Sequence, residues 1–139
     1  MNTLTSQCTK IHFTALVGNH VTDITEDIYV IKLDDIAPAV NLRSRETLSG
    51  FSKLEEAVLQ NMYHPVVLVE NTWENYSHAI ETVHKGMQDG YYPKRRYLCL
   101  FGNQRLAIAS RNGYDSISAV CLKDVNRAIV IGKYNEGIR

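Results

Sequence analysis

Apolar residues fall in short runs separated by polar breaks, and each run is the length of one element. Ile11–Val17 alternates loosely and stops at Gly18-Asn19; Ile28–Leu33 is β-branched and ends at Asp34-Asp35. Both read as strands. Pro38 has no N–H to give a ladder, so Ile36 to Asn41 is expected to be a loop or turn. Arg43 to Ser52 is polar and contains Gly50. Ser52 with Glu55 three residues on fits a capping box, opening a helix that places Leu54, Ala57, Val58 and Asn61 on one face. Pro65 ends it, and Val66–Val69 is an unbroken apolar run suited to a strand covered on both faces.

The second half continues in the same way. Tyr76, Ala79, Ile80, Val83 and Met87 recur at helical spacing, which predicts an amphipathic helix over Trp73–Asp89 ending at Gly90. Tyr97–Phe101 is an apolar strand, and a helix follows at once through Arg111, stopped by Asn112-Gly113. Ile117–Leu122 is a last core strand, and Val125–Gly132 fits either a short helix or an edge strand. Strands and helices interleave, which predicts an α+β domain with a mixed sheet flanked by helices.

At 139 residues the expectation is one domain spanning 1–139, large enough to bury a core without staples. Fifteen basic and fifteen acidic side chains cancel, which argues against a grip on DNA built on many neutralised phosphates. No apolar run approaches membrane-spanning length, and Met1 to Lys10 lacks the pattern of a signal peptide, so a cytoplasmic protein is expected. The three cysteines, Cys8, Cys99 and Cys121, include no CxxC. Cys99 and Cys121 sit in apolar runs and read as buried free thiols. No His/Cys cluster has metal-ligand spacing, so no structural metal is expected.

The stretch with the most chemistry is Phe101-Gly102-Asn103-Gln104-Arg105. A strand ends in glycine, and a helix opens with a cation in its first turn. A helix N-terminus presents unpaired N–H groups and the positive end of the dipole, where an arginine is unfavourable unless an anion is shared between the backbone and the guanidinium. The glycine lets that anion approach. A second concentration is Lys94-Arg95-Arg96 near Trp73, Tyr76, Tyr91 and Tyr92, a mixture that suits either nucleic-acid backbone and bases or a protein interface.

Four pieces in order carry a family resemblance. Ile31–Pro38 is similar to a strand leading into an Ile-x-Pro turn, and Leu54–Val58 leading to His64–Val69 resembles a short helix running into a Pro-started strand. Phe101–Ala109 looks like a Gly-x-x-Arg box, and Tyr114–Val120 resembles the closing strand. Together they resemble the ParB/sulfiredoxin-like superfamily over about residues 28–122, with an insertion over about 70–96 that places an extra helix before the Gly-x-x-Arg strand.

The resemblance implies a nucleotide-handling fold in which Gly102, Asn103, Gln104 and Arg105 cradle phosphates. His64 and Arg43 (or Arg45) are implied as neighbours, and ATP or CTP with Mg²⁺ as ligands. The departures from the family are specific. Asn103 stands where sulfiredoxin has its reactive cysteine. The box lacks the histidines of the free-serine kinases, and Pro38-Ala39-Val40 lacks their glutamate. Nor is there a Glu-Asn-x-x-Arg segment of the partition proteins. Glu46 and Asp35 are the nearest carboxylates for a metal or proton-transfer role. The expected function is therefore nucleotide or phosphate-ligand binding, with weak NTP hydrolysis or phosphotransfer as its extension. The alternative is a non-catalytic module of phage or mobile-element type, binding DNA or a protein through Trp73, Tyr76, Lys94, Arg95 and Arg96. A ParB-like nuclease is the third reading.

Overall fold

The computed structural model describes residues 3–4, 10–17, 20–39, 50–59, 65–85 and 90–134. The Gly18-Asn19 turn, Cys8, Asn61 and the expected helical residues 86–89 lie outside these.

The long apolar runs form the middle of one mixed sheet. Its strands are β1 (Thr3–Leu4), β4 (Tyr29–Lys32), β5 (Ile36–Pro38), β6 (Val66–Glu70), β7 (Tyr97–Phe101) and β8 (Ser116–Leu122). The order is β1-β8-β6-β7-β5, with β4 also paired to β8. β4 runs antiparallel along Ser116–Ala119, while β6 runs parallel along Ala119–Leu122 and β1 along Ser116-Ile117. A strand has two edges, so β1 and β6 share the edge of β8 opposite β4. Val66, Val67, Leu68 and Val69 are all fully buried, as expected of an unbroken apolar run.

Alternation along the central strands divides the core between the two faces of the sheet. On one face Val67, Val69, Leu98, Leu100 and Val120 pack with Tyr76, Ala79 and Ile80 of α2 (Trp73–Thr82) and with Val125 and Ala128 of α4 (Val125–Tyr134). On the other face Val66, Leu68, Cys99 and Ile117 pack with Phe51 of α1 (Phe51–Leu59) and with Leu106–Ala109 of α3 (Asn103–Arg111). A separate antiparallel hairpin, β2 (Lys10–Val17) and β3 (His20–Asp27), lies against α4. Arg127 of α4 donates from Nε and Nη2 to Glu26 Oε1 at 2.9 and 2.7 Å. No helix among the described residues is long and apolar enough to cross a membrane.

Several elements differ from the sequence expectation. Ile36–Pro38 is a strand pairing parallel with Tyr97–Cys99, and Pro38 is accommodated because β5 is the edge strand. His20–Asp27, unassigned by pattern, is the second arm of the hairpin. α1 starts at Phe51: Leu54 N–H donates to Gly50 O at 3.1 Å, so Gly50, with φ +84°, stands where Ser52 was expected to cap. Glu55 instead accepts from Asn112 Nδ2 at 3.1 Å.

α2 ends at Thr82 because Ala79 O takes the N–H groups of both Val83 and His84, and the His84 ring leaves the helix line to donate from Nε2 to Leu100 O at 2.7 Å. Val125–Tyr134 resolves as a helix. Cys99 is buried, whereas Cys121 is half-buried; neither is in a disulfide.

Candidate functional site at the β7–α3 turn

β7 is pushed out of regular pairing just before its turn. Val67 pairs with Phe101 and Leu68 with Cys99, so Leu100 is an extra residue on β7. Such a bulge leaves a carbonyl outside the ladder and re-aims the strand end. The His84 contact satisfies the carbonyl of that extra residue.

Two residues later Gly102 adopts φ +94° and ψ 20° as the N-cap of α3, with no side chain capping the helix. Glycine is required here twice over. The left-handed backbone disfavours a side chain, and a Cβ would sit 2.8 Å from Val66 Cγ1 and 3.0 Å from Arg105 Nη1. Arg105 is therefore folded back over the glycine it follows by three residues. It is only 3% exposed, so its guanidinium is held within the protein at the positive end of the helix dipole.

Asn103 is also buried, and its side chain works as a strut. Oδ1 accepts from Ala39 N–H at 3.4 Å, and Nδ2 donates to Cys99 O at 3.2 Å. That places the end of the β5 segment beside the turn. Gln104 is half-buried. His64, Arg43, Arg45 and Glu46 lie outside the described residues. Asp34 and Asp35 occupy a 3₁₀ turn, Leu33–Asp35, between β4 and β5. Among the described residues no three His, Cys, Asp or Glu side chains gather as a metal-ligand group.

The second set of expected residues sits at the other end of β7, and it divides. Trp73 is 61% exposed and makes an edge-to-face contact with Tyr91 at 5.3 Å. Tyr76 is buried, 5.7 Å from Trp73 and 5.4 Å from Tyr91, and anchors α2 to the sheet. Lys94 and Arg96 are exposed, and Arg96 lies over the Tyr97 ring at 5.4 Å. Arg95 turns inward instead, donating from Nη1 to Leu33 O at 3.2 Å and Ile36 O at 3.1 Å. Burial pushes the Cys121 thiol above its ordinary pKa, with Arg96 opposing, so the neutral thiol is favoured.

Three residues that pattern did not single out hold these features in place: Val66 against Gly102, His84 on the bulge, and Asn71. Asn71 donates from Nδ2 to Tyr92 O at 2.6 Å and Arg95 O at 2.9 Å, and its N–H donates to Arg96 O at 3.0 Å. No local signal marks Asn71 or His84, because their partners are distant in sequence. The chain matches no family model and no curated protein.

Proposed function

We propose that the chain is a ParB-like domain that binds a nucleotide or another phosphate ligand at the β7–α3 turn. The observation that carries this reading is Gly102 as a left-handed N-cap without a side-chain cap, with the Arg105 guanidinium folded over it. Backbone N–H groups, the positive end of the α3 dipole and a planar cation then converge on one place, the combination that favours a phosphate over a neutral ligand. The β-bulge two residues upstream supports it, since bulges re-aim strand ends beside functional sites. Catalysis, if the ligand is turned over, would rest on positioning and charge neutralisation at this turn.

The test is calorimetry and thermal shift with ATP, CTP and pyrophosphate, with and without Mg²⁺. Wild type is compared with an Arg105→Met variant whose far-UV spectrum is native. Ligand at about 100 times its dissociation constant adds roughly 2.7 kcal/mol to stability. A shift in wild type that is lost in the variant is expected. Absence of any shift across the panel sinks the reading.

A second reading, a binding module, is favoured by one specific observation: Trp73 stands exposed at the start of α2, in ring contact with Tyr76 and Tyr91. Trp is enriched among the residues that dominate binding interfaces. Pull-downs comparing wild type with Trp73→Ala separate this reading from the first, because Trp73 and Gly102 lie at opposite ends of β7.

A further inference from the structure

α3 stops on Asn112-Gly113, and the two side chains just before that glycine hold α1 in place. The Arg111 guanidinium lies over the buried Phe51 ring at 6.0 Å, and its Nε stands 3.6 Å from Glu55 Oε2. Asn112 donates from Nδ2 to the same Glu55 oxygen at 3.1 Å and to Ile108 O at 2.8 Å. One amide group thus closes the last turn of α3 and fastens it to α1.

Asn112 is also the only asparagine in the sequence that a glycine follows. Glycine puts no side chain in the way when its backbone nitrogen attacks the asparagine amide carbon, so deamidation is chemically easiest at this pair. Both residues are exposed, and the space where a Cβ of Gly113 would sit is open, so water reaches them. The folded geometry opposes the reaction. Gly113 N–H donates to Ser110 O at 3.2 Å, and the Asn112 amide is bonded back along α3 and across to α1. Nitrogen and amide must leave these partners before they meet, so the contact with Glu55 works as a gate on a local opening.

We propose that Asn112 is a site of spontaneous deamidation whose rate is set by the α1–α3 contact and whose product undoes that contact. The Gly113 nitrogen loses its proton to solvent base and bonds to Cγ of Asn112. The Cγ–Nδ2 bond breaks, and ammonia leaves with a proton from water. The resulting cyclic imide takes up water and opens to aspartate or isoaspartate. One water is consumed and one ammonia released, with nothing oxidised or reduced. The aspartate places a carboxylate where a donor stood, facing Glu55 Oε2, Ile108 O and the negative end of the α3 dipole. An attraction between α1 and α3 becomes a repulsion. Isoaspartate in addition lengthens the backbone by one carbon at the turn that leads to β8.

The test holds the full chain at mildly alkaline pH for weeks and locates isoaspartate by peptide mapping and mass spectrometry. A peptide of residues 109–115 supplies the ungated rate. Wild type is expected to accumulate isoaspartate at Asn112 more slowly than the peptide. Glu55→Ala, with a native far-UV spectrum, is expected to react about threefold faster than wild type, as loss of one partly solvated hydrogen bond from the closed form implies. Asn112→Asp is expected to speed amide exchange in α1 relative to the central strands. Modification confined to other asparagines, or none after the peptide has fully converted, would overturn the site. Glu55→Ala reacting at the wild-type rate, or wild type at the peptide's rate, would overturn the gate. Unchanged α1 exchange in Asn112→Asp would overturn the effect of the product.

Discussion

Gly102 carries two constraints at once, and each alone would disfavour a side chain. Its φ of +94° lies in the left-handed region, and the space where a Cβ would sit is occupied by Val66 and by the Arg105 guanidinium. A Gly102→Ala protein is expected to lose about 2 kcal/mol or more, measured by urea unfolding, because Val66 is locked in the core and cannot retreat. An unchanged midpoint would mean that the turn relaxes freely and is not the rigid platform described here. The glycine and arginine were legible in sequence as a strand–Gly–helix junction with a cation in the first turn. That Arg105 lies buried over Gly102 was not legible, since it depends on Val66, thirty-six positions earlier in the chain. Asn103 shows the same limit. Its type suits ligand binding, but its amide spans Ala39 and Cys99.

Among the elements, the ones read correctly from pattern are those whose burial is continuous. β6 and β7 are apolar along their length because both faces of the sheet are covered. Misreadings occur where partners outside the element decide the outcome. β3 is rich in charged and hydroxyl residues and exists because β2 pairs with it over its whole length. β5 contains a proline and exists because it lies at the edge, beside β7. α2 keeps its apolar period beyond Thr82, but the His84 contact with the bulge carbonyl draws the chain away.

The basic turn before β7 is likewise shaped by distant partners. Asn71 holds it through Tyr92 and Arg95 carbonyls, and Arg95 ties it to the turn before β5. Asn71→Ala is expected to cost roughly 1–3 kcal/mol and to raise amide hydrogen exchange across Tyr91–Arg96 above that of the central strands. Asn71→Asp should loosen the same segment, because a carboxylate would face two carbonyl oxygens. Unchanged exchange in both proteins would show that Arg95 alone holds the turn.

On the scale of the whole molecule, helices cover both faces of the sheet, and the hairpin lies on α4 with Ile11 and Ile24 packed against the core. The Arg127–Glu26 pair joins them with side chains that are partly solvated. Arg127→Ala is therefore expected to lower global stability by under about 1 kcal/mol while speeding exchange in β2 and β3 selectively. A uniform rise in exchange across the sheet would instead mean that the hairpin folds as one unit with the core. The same architecture separates the chemistry. The Gly102–Arg105 turn stands at one end of β7 and Trp73 beyond the other.

Periodicity and turn chemistry determined the α+β class, the buried central strands and the Gly-x-x-Arg junction, because these depend on neighbours within one or two turns of chain. Tertiary structure alone decided which polar side chains stay exposed and which serve as internal struts. Arg95 and Asn103 have the residue types of a binding site and spend their hydrogen bonds on backbone groups far away in sequence. The physical reason is that a polar group's role follows from what lies within about 3 Å of it. In a sheet ordered β1-β8-β6-β7-β5, those neighbours come from every part of the chain.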